Sequence, residues 1–332
     1  MPLTTMPQIV VENLVKIFNV AERNPGLWGA IAGLVRRRHR TVTALNGVSF
    51  SLEAGELLGY IGPNGAGKST TVKILSGILV PDSGSVEVLG FTPWKNRIQT
   101  VRKIGVVFGQ RTQLWWDLPV IESFDLLREI YRVPQDEYKR NKDELIDLLN
   151  LPVLLDTPVR QLSLGQRMRC DLAAALLHSP KILYLDEPTI GLDAVSKLAV
   201  RDFVKKLNRE RGVTIILTTH DMDDIEALCN RVLVINEGNI LTDGTLADLR
   251  MMVTTERRLT VVLVNEDGDI TDPDAEVISR EGRYVTLRFD PESIPPAELI
   301  ARIVANHEIR DLFVENPPIE EVIAKIYGSA GR

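Results

Sequence analysis

Gly62-Pro63-Asn64-Gly65-Ala66-Gly67-Lys68-Ser69-Thr70 satisfies G-x-x-x-x-G-K-[ST], and it stands between a strand-like stretch, Glu56 to Ile61, and a helix-like one, Lys68 to Leu79. That order of strand, glycine-rich loop and helix sets the fold. Glycines at 62, 65 and 67 let the backbone curl so that successive N–H groups point inward, and the start of the following helix adds partial positive charge. Such a cradle suits phosphate oxygens. Gly62, Asn64, Gly65, Ala66, Gly67, Lys68, Ser69 and Thr70 are therefore expected to hold a nucleoside triphosphate. Lys68 would reach its β- and γ-phosphates and the Ser69 hydroxyl would help coordinate Mg²⁺.

At 332 residues and 44% apolar content the chain suits about two globular domains. The longest wholly apolar runs, such as Leu172 to Leu177, fall far short of the roughly 18 residues that a membrane span requires. No basic, apolar and small-residue series follows Met1, so the reading expects no secretory signal and a cytosolic compartment. Cys170 and Cys229 each fall in a helical pattern and read as buried, reduced thiols. A net charge of −6 argues against nucleic acid as a partner, because phosphate neutralisation needs clustered Lys and Arg.

The exception to that charge balance is local, at Arg36 to Arg40. It ends an insert, residues 21–40, between two strand-rich stretches at 8–20 and 41–61. Within the insert Leu27, Trp28, Ile31, Leu34 and Val35 share one helical face, which suits a membrane interface or partner groove, or a surface helix packed on its own domain. From Arg111 to Leu162 the pattern is mainly helical, clearest at Asp125 to Tyr131 and Asp143 to Leu149. Strand signals at Ile182 to Leu185, Thr214 to Thr218 and Arg231 to Ile235 then alternate with helical stretches, which implies a mostly parallel sheet covered on both faces. A break near Leu249 to Glu256 precedes short strand runs, Leu259 to Val264 and Tyr284 to Phe289. Helical patterns follow at Pro296 to Ala305 and Ile319 to Tyr327. The expected fold is therefore α/β over 1–250, with a small α+β domain over 251–332.

Ile182-Leu183-Tyr184-Leu185-Asp186-Glu187 is an apolar strand that delivers two carboxylates at its C-terminal end, where α/β sheets bind ligands. Asp186 would hold Mg²⁺ or its water shell, and Glu187 would accept a proton from attacking water. With these residues in place, the stretch from 8 to 250 resembles ATP-binding cassette (ABC) ATPases, whose ordered motifs it carries. Gln110, in Val106-Val107-Phe108-Gly109-Gln110, matches the family's Q-loop glutamine, which touches Mg²⁺. Leu162-Ser163-Leu164-Gly165-Gln166 is similar to the signature motif, ahead of a helix expected to begin near Arg167. Gly191-Leu192-Asp193 and His220 follow in the family's order.

The resemblance implies a P-loop cassette with an antiparallel β subdomain and a helical subdomain at about 111–165. It further implies ATP and Mg²⁺ as ligands. Two cassettes would face head to tail, so that the signature of one, with Ser163, the Gly165 backbone and the helix start behind them, caps the γ-phosphate held by the other, and Gln166 and Asp193 join the ATP-binding residues. Glu187, His220 and Gln110 become the catalytic set, and Phe18 matches the adenine-stacking aromatic, with core packing as the other reading. Leu164 stands where the family usually has Gly, which puts the backbone freedom of that position in question. Thr189-Ile190-Gly191-Leu192-Asp193, Trp115-Trp116 and the small tail look similar to drug-exporter-like cassettes. Their partners are membrane-spanning permease subunits and a second cassette, at the cytoplasmic face of the membrane. Alternatives are a soluble cassette ATPase acting on ribosomes or DNA and the ATPase subunit of an importer.

Overall fold

A computed structural model describes residues 7–21, 39–109, 111–253, 256–265 and 270–330. Most of the insert, with its Leu27 to Val35 face, lies outside them, and so does Gln110. The chain divides into two compact units, Met1–Asp243 and Gly244–Arg332.

In the first unit, β1 (Ile9–Ala21) pairs antiparallel with β2 (His39–Leu52). Their pairing runs out to Ala21 and His39, so the insert is shorter at both ends than the 21–40 expected from sequence. β3 (Leu57–Ile61) leads through the glycine loop into α1 (Lys68–Leu75), which ends four residues before the expected Leu79 because Ser76 and Gly77 close it with a turn. β4 (Ser83–Val88) pairs with β1 to complete a three-stranded antiparallel sheet ordered β2-β1-β4. Next come α2 (Arg97–Val101), β5 (Ile104–Phe108), α3 (Val120–Tyr131) and α4 (Gln135–Leu148). α5 (Leu164–Leu176), β6 (Ile182–Asp186), α6 (Ala194–Arg211), β7 (Thr214–Thr219), α7 (Met222–Leu228), β8 (Arg231–Asn236) and β9 (Asn239–Thr245) follow.

Six strands form one sheet in the order β5-β6-β7-β3-β8-β9, and β5, β6, β7, β3 and β8 run parallel. β3, β6 and β7 are buried along their whole length, as near-continuous apolar runs covered on both faces must be. The register matters most for function. Phe108 pairs with Asp186, Asp186 with Thr218, and Ile61 with Thr219, so these strands stop at one level. The chain leaving each of them therefore emerges along the same edge, where α/β sheets place their ligands. One core joins the two sheets and α1, with Ile9, Leu14, Leu45, Leu58, Tyr60, Ile74 and Tyr184 buried together. The Tyr60 hydroxyl is satisfied at 3.1 Å by Thr71.

The second unit contains α8 (Leu246–Val253), β10 (Arg257–Leu263), β11 (Ala275–Glu281), β12 (Tyr284–Phe289), α9 (Pro296–Asn306), β13 (Ile309–Glu315) and α10 (Ile319–Ala330). Its antiparallel sheet is ordered β11-β12-β10-β13, with Leu259, Val261, Leu287, Phe289, Leu299 and Ile303 in its core. α8 occupies much of the stretch read from sequence as a break. Among the described residues no helix is long and apolar enough to cross a membrane.

Candidate active site

The glycine loop owes its path to close contacts. A Cβ on Gly62 would stand 2.4 Å from the Ile235 carbonyl oxygen, and one on Gly67 2.5 Å from that of Ala44. Gly67 also has φ +112°, a left-handed conformation that caps α1 without a side chain. Lys68 is buried, and its Nζ donates back to the carbonyls of Gly62 at 2.7 Å and Pro63 at 3.2 Å, bridging the loop from within. Burial lowers the Lys68 pKa from its ordinary value, opposed by the negative charges of Glu187 and Asp186. Ser69 and Thr70 follow in the first turn of α1, half-buried.

Across from the loop, Asp186 at the end of β6 accepts a hydrogen bond from Ser69 Oγ at 3.2 Å and a second from the Thr218 hydroxyl. These two donors fix the carboxylate beside the Ser69 hydroxyl. Glu187 turns the chain with φ +55°, and its amide donates to the Thr218 carbonyl at 2.8 Å. His220 Nδ1 lies 3.4 Å from Glu187 Oε1, with the imidazole more exposed than the carboxylate. Asn64, Ser69, Gly109, Asp186, Glu187 and His220 line one cleft of about 630 Å³, together with Lys73, Phe108 and Arg111. A hard carboxylate and a hydroxyl side by side are donors of the kind Mg²⁺ takes, with phosphate and water oxygens to complete the set.

Gly109 has no room for a side chain. Its amide donates to the Asp186 carbonyl at 2.8 Å, and a Cβ would fall 2.0 Å from the Glu187 carbonyl oxygen. Gly109→Ala should therefore displace Glu187 and lower stability by about 1–3 kcal/mol. Thermal unfolding of the variant beside the parent checks this.

The signature residues lie elsewhere. Ser163 is the N-cap of α5: its Oγ accepts from the Gln166 amide at 3.2 Å while Gln166 Oε1 accepts from the Ser163 amide at 2.9 Å. The helix thus begins at Leu164, earlier than the expected Arg167, because this reciprocal cap nucleates it. Leu164 has an ordinary helical backbone, so that position demands none of glycine's freedom, and its side chain packs against Gly191. Gly165 is different, since a Cβ there would meet Ser196 Oγ at 2.4 Å. Ser196 in turn donates to Asp193, the N-cap of α6, from its amide at 3.0 Å and its hydroxyl at 2.7 Å. These bonds hold the exposed Asp193 carboxyl below its ordinary pKa.

The structure therefore brings together Ser69, Asp186, Glu187 and His220. Ser163, Gly165, Gln166 and Asp193 do not line their cleft. Phe18 does not line it either: it sits half-buried on β1, opposite Val42, with the Lys16 ammonium 5.4 Å from its ring centre. Sequence reasoning missed Thr218 and Asp224. Asp224 is fully buried and accepts from Thr189 after Glu187, from Thr219 before His220 at 3.5 Å, and from Arg201 of α6. It knits the loops carrying Glu187 and His220 together, and the acidic run Asp221 to Asp224 was the available signal.

The family model described as ABC transporter matches residues 45–190. The linearmycin resistance ATP-binding protein LnrL of Bacillus subtilis (strain 168) is 36% identical over 234 residues, covering 70% of this chain and 75% of that protein. The methionine import ATP-binding protein MetN 2 of Enterococcus faecalis (strain ATCC 700802 / V583) is 34% identical over 279 residues, covering 81% and 80%. Among solved structures, a dimeric ATP-binding cassette in a post-hydrolysis state with ADP and Pi superposes with a TM-score of 0.60 at 26% identity. That match covers 72% of this chain and 98% of the other. With the loop, the paired carboxylates and the capped signature helix in the arrangement described, the chain belongs to the ABC transporter family, as an ATP-hydrolysing cassette subunit.

Proposed function

We propose that this cassette powers an exporter whose membrane-spanning subunits are separate chains, and that two cassettes close head to tail around ATP. The observation that carries the second part is the division of the motifs. Ser69, Asp186, Glu187 and His220 share one cleft, whereas the amide end of α5 at Ser163, Gly165 and Gln166 faces none of it. A helix N-terminus of this kind suits phosphate, and the triphosphate it suits here is one held by another cassette.

In this reading the glycine loop and Lys68 bind the β- and γ-phosphates. Ser69, Asp186 and, from the resemblance, Gln110 would hold Mg²⁺, which when bound would neutralise charge on the phosphate oxygens. Glu187 takes the proton of the attacking water, and His220, in contact with Glu187, orients that water and the γ-phosphate. The test is solution mass: the hydrolysis-blocked protein should become a dimer on ATP and stay single with ADP. A strict monomer in both would refute the head-to-tail reading.

The likeness to a resistance ATP-binding protein supports export. The second reading, import, has its own support, because a methionine importer relative aligns over 81% of the chain. Reconstituted vesicles with the cassette outside decide between them: export predicts ATP-driven accumulation inside, and import predicts the reverse.

For the permease, the ends of α2 and α3 form a groove of about 420 Å³ between Arg97, Ile98, Arg102, Ile130 and Arg132. Ile98 is 70% exposed and Ile130 60%. Exposed apolar side chains ringed by guanidiniums suit an acidic, apolar cytoplasmic segment of a membrane subunit. Ile98→Glu should cut co-purification with the permease at least tenfold while ATP binding holds. Retention of the complex would move the docking face elsewhere. The cassette would then work at the cytoplasmic face of the membrane.

A further inference from the structure

We propose that Tyr60 and Thr71 are positioning residues that hold the peptide between Gly67 and Lys68 from beneath the glycine loop, and so set the affinity of that loop for phosphate. The proposal rests on the reading of the loop as the phosphate cradle.

The start of α1 lacks the usual anchor. Helices commonly fix their first turn with a Ser, Thr, Asp or Asn side chain at the N-cap. Gly67 stands there instead, and a Cβ on it would come 2.5 Å from the Ala44 carbonyl oxygen. Glycine visits its left-handed φ of +112° no more readily than other conformations, so nothing in the residue itself holds the turn. The hold comes from its carbonyl. Gly67 O accepts the Thr71 amide at 2.9 Å and the Thr71 hydroxyl at 3.1 Å, which together occupy both of its lone pairs.

The direction of the next bond follows. The Thr71 hydroxyl has one proton, and the carbonyl it meets can only accept, so that proton is committed to Gly67. The Tyr60 hydroxyl, 3.1 Å from Thr71 Oγ1, therefore donates. A line of donors thus runs from β3 through α1 to the loop, and both side chains in it are buried. The Phe50 ring, 5.9 Å from that of Tyr60 between centres, packs on the tyrosine and limits the swing of its hydroxyl.

A peptide group is planar, so fixing the Gly67 carbonyl also fixes the Lys68 amide on its other side. That amide opens the helix and has no acceptor within it. Donors on the carbonyl also polarise the peptide, by about 10–30% per bond, which strengthens the Lys68 N–H toward an anion. Tyr184 supplies the contrast. It lies in the same core and is as deeply buried, yet its hydroxyl has no hydrogen-bond partner among the described residues. The two tyrosines differ in where the hydroxyl leads. A Tyr60–Thr71 pair kept merely to satisfy two buried groups would affect stability and leave affinity alone.

Calorimetric titration of the full chain with ADP, which avoids turnover, tests the proposal. Tyr60→Phe should weaken ADP binding by about threefold to tenfold, the range of one hydrogen bond. Tyr184→Phe should leave it within about twofold. Thr71→Val should cost at least as much as Tyr60→Phe, and Thr71→Ser, which restores the hydroxyl, should bind within about twofold of the parent. Because Tyr60 acts only through Thr71, adding Tyr60→Phe to Thr71→Val should weaken binding no further.

The proposal is overturned if Tyr60→Phe binds ADP as the parent does, whatever its thermal stability. It is also overturned if Tyr184→Phe is impaired as much, if the effects of Tyr60→Phe and Thr71→Val multiply, or if Thr71→Ser is no better than Thr71→Val. Lys68→Ala in the same titration keeps the underlying reading separate. Full ADP binding by that variant would refute the cradle, whereas its expected loss beside an unaffected Tyr60→Phe would sink the relay alone.

Discussion

Glu187→Gln is expected to abolish steady-state ATP hydrolysis, with a fall of about 10²–10⁴-fold, the usual contribution of a positioned general base. The amide keeps the size of the side chain and an oxygen facing His220 Nδ1, now 3.4 Å away, but it has no basic carboxylate to receive the proton of the attacking water. Nothing in the glycine loop changes, so ATP affinity should stay within about twofold of the original. Turnover and nucleotide titration on one preparation separate the two quantities. A variant that hydrolysed ATP at the normal rate would remove Glu187 from the role of base. A variant that lost binding would mean that the strained turn at φ +55° had been disturbed instead.

The second large effect concerns Lys68. Truncation to Ala should weaken ATP binding by about 2–5 kcal/mol, the cost of removing one member of a buried, hydrogen-bonded charge pair. That corresponds to a loss of about 30-fold to several thousandfold in affinity. Part of the loss is electrostatic. Another part is architectural, because Nζ also ties the Gly62 and Pro63 carbonyls across the loop. Lys68→Arg separates the two: charge is retained, but the longer planar head does not fit between those carbonyls. Calorimetric titration with ATP should therefore find the Arg variant impaired as well. Full binding by Lys68→Ala would refute the assignment of the cradle.

The parts of this molecule that were legible in its sequence are those with strict local requirements. Gly62, Gly65 and Gly67 stand at fixed offsets because side chains there would collide with backbone or strain it, and Asp186 and Glu187 end a wholly apolar strand. Other features depend on distant partners. Thr218 reads as an ordinary strand residue until the register sets it beside Asp186. Asp171 reads as a stray acid in an apolar helix until the loop at 112–113 closes on it. The start of α5 was available, since Ser163 and Gln166 have the spacing of a reciprocal cap. β11 was not, because most of it is exposed and a register shift between Val277 and Ser279 breaks its alternation.

The level ending of the parallel strands has a consequence for how this protein tolerates change. Insertions or deletions directly beyond Ile61, Phe108, Asp186 or Thr219 would displace the glycine loop, Gly109, Glu187 or His220, although the remaining three anchors keep their height. Removing one residue inside β6 would swing its carboxylates to the opposite side of the pleat, so length variation belongs at the far ends of these strands.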